Sequence, residues 1–280
     1  MGYSAETLPL NDNVFRILRN LIMERTGIYF EDTRKDMLAD KLSDRIVEKG
    51  YSSFIDYYYL LKYDESASSE WYTVFDLLSV KETYFWRETE HFESLTRHIL
   101  PVIASSGNKT IRIWSAACST GEEALSILMA IDHSGWLAKI NVEVTGSDAS
   151  RHAIEVARRG LYRDRSLRHL PEELRTKYFT RENDLWRVSP DLHRRIRWDV
   201  INLSIPDQVM AMPQQNVIFC RNVFIYFKDE TIGKIVDCFR SVLSAPGYLF
   251  TGYSESLYRL RHGFELKEKG KSFVYEKNDN

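Results

Sequence analysis

Apolar residues in the first eighty positions recur at helical spacing. In residues 14–22 they fall at i, i+3, i+4, i+7 and i+8, and Gly27 follows where a helix would end. A second stripe over residues 38–46 has Asp32 as its expected N-cap and Gly50 after it. A tyrosine-rich segment after Ser52 and a stripe over residues 71–78 predict two more helices. Four amphipathic helices with short connections predict a small all-α domain over residues 1–80.

After about residue 105 the pattern changes to short apolar runs that alternate with helical stretches. Strands are predicted over residues 111–114, 140–144, 216–220, 248–251 and 273–275, and helices over residues 122–132, 150–160 and 229–243. Strands that alternate with helices predict a parallel sheet covered on both faces. The second domain, residues 81–280, is therefore expected to be α/β.

One stretch interrupts this α/β alternation. Residues 177–181, 185–189 and 195–201 have period-two character, which predicts a three-stranded antiparallel insert at about residues 175–201. Residues 151–200 carry 13 Lys and Arg against 8 Asp and Glu, although the whole chain has a formal charge of −2. This local excess is either a solvated basic face or a surface for an acidic partner.

Composition narrows the class of protein. A net charge of −2 argues against a general binder of polyanions such as nucleic acid. No run of eighteen apolar residues occurs, and MGYSAETLPL lacks the basic-then-apolar pattern of a signal peptide. The three cysteines Cys118, Cys220 and Cys238 are an odd number at wide spacings, which argues against a disulfide framework or a metal site. A cytoplasmic protein without membrane insertion is expected.

The candidate ligand site follows the first two strands. Residues 115–123 (SAACSTGEE) contain small side chains that let the backbone approach a ligand, but they lack the G-x-G-x-x-G spacing and the phosphate-binding lysine. Asp148 ends the second strand, where an acid can accept hydrogen bonds from ribose hydroxyls. S-adenosylmethionine suits this pattern better than a dinucleotide does. Alternatively, Thr120 and Glu123 form a helix capping box.

Four ordered motifs give the chain a specific resemblance. Residues 81–92 (KETYFWRETEHF), 114–123 (WSAACSTGEE), 219–227 (FCRNVFIYF) and 252–255 (GYSE) closely resemble motifs of the bacterial chemotaxis receptor glutamate methyltransferases of the CheR type. The resemblance covers nearly the whole chain. It implies a Rossmann-like S-adenosylmethionine-dependent methyltransferase domain with a small antiparallel insert, after an all-α domain that docks on receptors. The implied reaction is O-methylation of receptor glutamates, with S-adenosylhomocysteine as product.

The resemblance also implies roles for individual residues. Tyr226 matches a tyrosine near the transferred methyl group, and with Arg87 it is the expected catalytic pair. Lys81 stands at a further cofactor position where the family commonly has asparagine, and Ser150 replaces a second acid after Asp148. The residues that match cofactor contacts are Thr83, Arg87, Glu123, Asp148, Asn202, Leu203, Arg221 and Asn222.

The chemistry of the reaction assigns tasks to these side chains. A glutamate is already ionised at neutral pH, so methyl transfer to it needs alignment and exclusion of water rather than a general base. Arg87 can orient the carboxylate and Tyr226 can donate one hydrogen bond. We interpret His91 and His98 as structural. The non-functional readings are a surface salt bridge for Arg87 and a core aromatic role for Tyr226.

Three classes of function remain open at this point. The protein is a receptor methyltransferase, a methyltransferase of another protein or of nucleic acid, or a non-catalytic adapter that binds the cofactor. The expected partner is the cytoplasmic helical region of methyl-accepting chemotaxis receptors, and the expected state is a monomer. Within the insert, the short turn TRENDL between Phe179 and Trp186 contains no glycine. Family members that bind a receptor C-terminal pentapeptide have a longer glycine-containing turn, so the resemblance predicts a pentapeptide-independent enzyme.

Overall fold

The chain folds into two compact units, Met1–Val80 with Tyr226–Thr231, and Lys81–Ile225 with Ile232–Asn280. The computed structural model describes residues 7–65, 67–80 and 82–278. In these residues no helix is both long and apolar enough to span a bilayer.

The first unit is a small helical bundle. Its helices are α1 Asp12–Thr26, α2 Lys35–Glu48, α3 Phe54–Tyr63 and α4 Ala67–Leu78. The predicted four helices are confirmed, and α1 ends at Gly27 with the left-handed φ of 77° that a glycine adopts readily. Asp32 is not the cap of α2, because a 3₁₀ turn over Asp32–Arg34 precedes the helix and the Asp32 carboxylate instead accepts a hydrogen bond from Arg19.

One buried ion cluster stabilises this bundle. Glu70 is 2% exposed, and its carboxylate accepts hydrogen bonds from Arg45 Nε and Nη2 at 2.7 and 2.6 Å and from the Tyr57 hydroxyl at 2.7 Å. The Lys49 ammonium lies 3.2 Å away. Burial raises the pKa of Glu70, but these hydrogen bonds outweigh it and lower the pKa to about 2.

The second unit alternates strands and helices. The strands are β1 Thr110–Ala116, β2 Asn141–Asp148, β3 Leu161–Tyr162, β4 Phe179–Glu182, β5 Leu185–Val188, β6 Ile196–Val200, β7 Gln215–Phe219, β8 Leu243–Phe250, β9 Glu265–Lys269 and β10 Ser272–Lys277. The helices are α5 Glu90–Ser94, α6 Leu100–Ser105, α7 Glu122–His133, α8 Arg151–Arg159, α9 Glu172–Tyr178, α10 Pro190–His193, α11 Pro206–Met210 and α12 Asp229–Val242. Short 3₁₀ helices lie at Asp164–Leu167 and Phe224–Tyr226, and a π-helical turn lies at Leu95–Ile99.

A seven-stranded sheet organises this unit. Its order is β6-β2-β1-β7-β8-β10-β9, with β6, β2, β1, β7 and β8 parallel and the last two strands antiparallel. The predicted α/β fold is therefore confirmed. The chain reverses direction of winding between β1 and β7, so the carboxyl ends of β1, β2 and β7 surround the crevice where such sheets bind ligands.

The predicted antiparallel insert exists, but its third strand was wrong. Strands β4 and β5 pair as a hairpin, and the third member of that sheet is β3, which pairs with β5. Arg195–Ile201 was expected to complete the insert. Its core, β6, instead lies in the main sheet, parallel to β2, with Ile196 opposite Val144. Alternation correctly indicated a strand with one buried face, but it cannot select the partner strand.

Candidate active site

The loop after β1 has an unusual backbone. Ala117 and Ser119 have positive φ angles of 68° and 50°, and the amide of Cys118 donates to the carbonyl of Ser147 at 2.8 Å. Gly121 packs so closely against the ring of Trp198 that a Cβ atom there would lie 2.8 Å from it. The loop therefore turns sharply at the ends of β1 and β2, and position 121 has no room for a side chain.

The capping box that the sequence offered as an alternative role for Thr120 and Glu123 is absent at the start of α7. Gly121 occupies the N-cap position and provides no side-chain hydrogen bond. The hydroxyl of Thr120 donates to the buried Glu122 at 2.6 Å, and Glu123 accepts a hydrogen bond from Ser115 at 2.7 Å. Glu123 thus points toward the sheet and the predicted ligand site, because the left-handed glycine takes the position that the capping threonine would need.

Asp148 holds the loop at the end of β2. One carboxylate oxygen accepts the amide of Ser119 and the other accepts the amide of Ser150, each at 2.9 Å. A carboxylate at the end of this strand can accept hydrogen bonds from ribose hydroxyls. The hydroxyl oxygen of Ser119 is buried and has no hydrogen-bond partner in the described part of the chain. A polar ligand at this strand end would satisfy it.

Arg221 lies at the centre of the site. Its side chain is 1% exposed, and Nη1 contacts Glu123 at 3.1 Å while Nη2 contacts Glu88 at 3.0 Å. Nη2 also donates to the carbonyl of Arg87 at 2.7 Å. Burial raises the pKa of Glu123, and the charge of Arg221 offsets part of that rise. One guanidinium therefore joins the first, second and third sequence motifs in a single network.

Arg87 has a different environment from Arg221. Its side chain is 30% exposed, and Nε lies 3.9 Å from Glu88, at the long end of the ion-pair range. Nη1 donates weakly to the carbonyl of Glu82 at 3.3 Å, and the guanidinium carbon lies 5.5 Å from the centre of the Tyr84 ring. The surface salt bridge considered from the sequence is thus poorly formed, so most of the donors of this guanidinium stay available to a ligand.

Glu255, in the fourth motif, clamps the loop that carries Arg221 and Asn222. It is 6% exposed. One oxygen accepts the amides of Asn222 and Gly252 at 2.6 and 2.7 Å, and the other accepts the amides of Phe224 and Ile225 at 2.7 and 3.4 Å. Four converging amides compensate a buried carboxylate without any cation. Asn222, with a positive φ of 59°, is held by this clamp, and its side-chain amide donates to Glu88 at 3.3 Å.

The remaining residues predicted to contact the cofactor lie in different segments of the chain. The Asn202 side-chain oxygen accepts the amide and hydroxyl of Ser204 at 3.0 and 2.7 Å just after β6, and Leu203 beside it is 6% exposed. Thr83 is half-buried in the first motif. Lys81 lies outside the described residues. These assignments stay predictions.

Tyr226 belongs to the helical unit. Its carbonyl accepts the amide of Tyr29 at 2.9 Å, and the ammonium of Lys228 lies 3.9 Å from the centre of the Tyr29 ring. Its catalytic assignment stays a prediction.

The histidines that follow the first motif differ in environment. His91 is 1% exposed and packs against Phe250 and Tyr253. Burial and, to a lesser extent, the charge of Arg221 lower the pKa of His91 to about 3. The ring is therefore neutral at physiological pH, and its approach to Glu88 at 3.5 Å is not an ion pair. His98 is exposed and lies next to Gly270.

Known proteins confirm the family. Residues 81–273 match the model of the CheR methyltransferase SAM binding domain, and residues 13–79 match that of the CheR methyltransferase all-alpha domain. The chain belongs to the CheR methyltransferase family. It is thus an S-adenosylmethionine-dependent methyltransferase, and its second unit carries the cofactor site.

Individual relatives cover nearly the whole chain. It is 33% identical over 273 residues to chemotaxis protein methyltransferase 2 of Vibrio cholerae, covering 96% of this chain and 94% of the relative. It is 34% identical over 267 residues to the chemotaxis protein methyltransferase of Escherichia coli, covering 94% and 91%. Among solved structures it is similar to a magnesium protoporphyrin IX methyltransferase from Synechocystis with bound SAM, at 11% identity and a TM-score of 0.37, over 79% of this chain and 94% of that one.

The site contains residues that sequence reasoning did not single out. Glu88 lies in the first motif and Glu255 in the fourth. Only the fold shows that Glu88 binds Arg221 and that Glu255 binds the backbone of the loop that carries Arg221. Ser119 is the third, with its unpartnered hydroxyl beside Asp148. The available sequence signal was their place inside the motifs. An acid beside an arginine in sequence gives no sign of a contact to a residue more than a hundred positions away.

Proposed function

We propose that this protein transfers the methyl group of S-adenosylmethionine to glutamate side chains of methyl-accepting chemotaxis receptors. The observation that carries the proposal is the contrast between the two arginines of the site. Arg221 is saturated by Glu88 and Glu123, whereas Arg87 is partly exposed and keeps donors for a further carboxylate. A carboxylate substrate matches the planar, bidentate donors of a guanidinium.

The reaction needs little from the protein in acid–base terms. A carboxylate oxygen of glutamate forms a bond to the methyl carbon as the bond from that carbon to the sulfonium sulfur breaks. The products are a methyl ester and S-adenosylhomocysteine, and no proton is transferred. The neutral, buried His91 is accordingly not required as a base. The protein instead aligns oxygen, carbon and sulfur and excludes water.

The change of charge during the reaction favours different roles for Arg221 and Arg87. Positive charge on the sulfonium and negative charge on the glutamate both disappear as the ester forms, so a tightly held ion pair would stabilise the ground state more than the transition state. Arg221 already has two carboxylate partners and cannot bind the substrate strongly. Arg87 is partly exposed, and its charge is spread over a planar guanidinium. Its directional donors can therefore orient the carboxylate without binding it so tightly that the ground state is stabilised.

The proposed cofactor contacts combine the residues at the strand ends with the roles that the family resemblance implies. Asp148 would accept hydrogen bonds from the ribose hydroxyls. The loop at residues 116–121, which has small side chains, would let the cofactor lie against the backbone. Glu123, Arg221 and Asn222 would face the amino-acid end, and Asn202 with Leu203 would contact the adenine. The carboxylates Glu88, Glu123 and Asp148 outnumber the two arginines, which suits a cofactor whose sulfonium, ammonium and carboxylate leave it with a net positive charge.

The proposed receptor partner rests on the relatives, which are named chemotaxis protein methyltransferases. We propose that the enzyme acts as a cytoplasmic monomer on the helical methylation region of the receptor. The N-terminal helical domain and arginines of α8 form the proposed docking surface. Within α8, Arg151, Arg158 and Arg159 are all exposed, and Arg158 also donates to the carbonyl of Trp198 in β6 at 2.8 Å.

We further propose that docking needs no receptor C-terminal pentapeptide. In the β4–β5 hairpin Glu182 pairs directly with Leu185, so only Asn183 and Asp184 form the turn, and Asn183 takes the positive φ of 53°. Arg181 and Arg187 flank this turn and bond to Asn183 and Glu182. The hairpin lacks spare backbone to wrap a peptide. Micromolar binding of a receptor C-terminal pentapeptide would contradict this.

The activity is tested by transfer of radiolabelled methyl groups to receptor-enriched membranes, with RNA as a second acceptor. Base-labile label in the receptor supports glutamate esters, because methyl esters hydrolyse in alkali and methylated amines do not. Arg87→Ala and Tyr226→Phe should lower kcat far more than they weaken binding of S-adenosylhomocysteine. Arg97→Ala is the matched control, since this exposed arginine forms a salt bridge with Glu93 and with no other carboxylate in the described part of the chain. Cofactor binding without any labelled acceptor would favour the adapter class, and wild-type turnover in Arg87→Ala would make Arg87 structural.

A further inference from the structure

A group of cationic and aromatic side chains surrounds Tyr84, next to Arg87. The guanidinium carbon of Arg168 lies 4.0 Å from the centre of the Tyr84 ring, and the ring of His169 lies 4.8 Å from it. The amide of Phe85 donates to the carbonyl of Ser166 at 2.9 Å. The segment 163–169 is therefore fixed against the first motif by a backbone hydrogen bond as well as by ring contacts.

The arginines of this segment have no salt-bridge partner in the described part of the chain. Arg165 and Arg168 are exposed, and neither forms a salt bridge with a carboxylate of residues 7–65, 67–80 or 82–278. Arg168 donates to the carbonyl of Arg165 at 2.8 Å, which keeps the two residues together. The acid directly before Arg165, Asp164, accepts hydrogen bonds from Arg181 at 2.8 Å and from the indole of Trp186 at 2.6 Å. Its charge is thus directed to the insert.

We propose that Arg165 and Arg168 bind a second carboxylate on the substrate helix, beside the glutamate that Arg87 orients. The inference rests on the proposed function, because it assumes a helical receptor substrate. Both Arg87 and Arg168 lie within cation–π distance of one ring, so their charges are about 10 Å apart or less. An α-helix rises about 5.4 Å per turn. The second acid would therefore lie one or two turns from the methylated glutamate, about four or seven positions along the helix.

This arrangement would give specificity at low cost to catalysis. The second carboxylate contacts exposed arginines at the rim, which mainly affect the rate of encounter and its salt dependence. Tyr84 limits the freedom of Arg168, so less side-chain entropy is lost when the acid binds. Glutamates without an acidic neighbour at this spacing would be methylated less efficiently.

The test compares three variants of the full-length enzyme. Arg165→Ala/Arg168→Ala removes the docking charges, Arg165→Glu reverses one of them without disturbing the Tyr84 contact, and Arg97→Ala is the control at an exposed arginine outside this segment. Initial methylation rates are measured against receptor concentration at several salt concentrations. The first two variants should raise KM for the receptor about tenfold and flatten its salt dependence, with kcat and S-adenosylhomocysteine affinity unchanged.

A substrate-side measurement makes the geometry specific. Neutralising the acid four or seven positions from the target glutamate should raise KM for wild-type enzyme but not for Arg165→Ala/Arg168→Ala, which is the signature of a shared contact. The inference is overturned if KM and its salt slope are unchanged in Arg165→Glu, or if Arg97→Ala gives the same rise. It is also overturned if the double variant loses binding to phosphatidylserine vesicles while KM for the receptor stays constant. If wild-type enzyme binds the cofactor yet labels no receptor, the proposed function itself fails, and this inference with it.

Discussion

Glu255→Gln is the substitution that most directly tests how the loop that carries Arg221 and Asn222 is held in place. The carboxylate accepts four backbone amides, and three of these hydrogen bonds are 2.7 Å or shorter. A glutamine keeps the shape but has one acceptor oxygen instead of two, so its NH₂ group must face amides that also donate. The variant therefore changes hydrogen bonding with almost no change in packing.

The expected cost follows from which amides lose their acceptor. If the NH₂ group faces Phe224 and Ile225, one short and one long hydrogen bond are lost; if it faces Asn222 and Gly252, two short ones are lost. The side chain will take the first orientation because it costs less. One buried amide without a partner and the loss of charge assistance elsewhere give a destabilisation of about 2–4 kcal/mol.

Two assays separate this mechanism from general loosening. Urea unfolding of the full chain gives the free energy, and hydrogen exchange gives the protection of the amides of Asn222, Phe224 and Gly252. We expect Phe224 to lose most protection, and we expect at least tenfold weaker binding of S-adenosylhomocysteine because Arg221 and Asn222 share the loop. Glu268→Gln, on the exposed face of β9, is the control. A destabilisation below about 1 kcal/mol with all three amides still protected would refute the clamp.

Three further predictions concern charged side chains that the fold holds in place. Arg221→Met should destabilise the protein by about 3–5 kcal/mol because it leaves Glu88 and Glu123 without a cation, and adding Glu88→Gln and Glu123→Gln should restore most stability but not cofactor binding. Asp148→Ala should weaken S-adenosylmethionine binding by about 1–3 kcal/mol, measured by calorimetry. Glu70 should contribute about 3 kcal/mol at neutral pH, because its pKa falls from the ordinary 4.5 to about 2 in the fold. That contribution is complete above about pH 4.5 and disappears as the pH falls through 2.

Each of these predictions has a contrary outcome. A triple variant no more stable than Arg221→Met would mean that the arginine acts through packing rather than charge. Unchanged cofactor affinity in Asp148→Ala would place the ribose elsewhere. For Glu70→Gln, the loss of stability between pH 5 and 2.5 should be shallower than in the wild type. Glu48→Gln is the control, since Glu48 is 69% exposed although it also pairs with Arg45. Parallel pH profiles for wild type and Glu70→Gln would contradict the pKa argument.

Features that depend on local sequence were predicted well. The apolar stripe of α1 and its terminal Gly27 agree with the structure, because helical spacing and a left-handed cap are properties of adjacent residues. The β1–loop–α7 unit was also located correctly, since an apolar run, small residues and a helix follow one another directly in the chain. The resemblance of the motifs then identified the family, which periodicity alone would not have done.

Features that depend on long-range pairing were missed. Alternation in residues 195–201 indicated a strand but placed it in the wrong sheet, because β6 finds its partner β2 about fifty residues earlier. The fourth motif was recognised, but no sequence pattern indicated that Glu255 binds amides of residues 222–225. These contacts form only when separate strand ends meet, so they carry no local signal.

The strained backbone of the site explains why its geometry could not be predicted from the local sequence. Among non-glycine residues of the described chain, positive φ angles occur at one hairpin turn, Asn183, and otherwise only inside three of the quoted motifs, at Trp86, Glu88, Ala117, Ser119 and Asn222. Such conformations cost of order 1–3 kcal/mol each and persist only where the surroundings impose them. Here the surroundings are identifiable: Arg221 holds Glu88, Asp148 holds Ser119, and Glu255 holds Asn222. The charged residues of this site therefore fix the backbone in addition to making the ligand contacts proposed above, so a substitution at any of them would change geometry and electrostatics together. Measurements that separate affinity, turnover and amide protection are needed to divide these two effects.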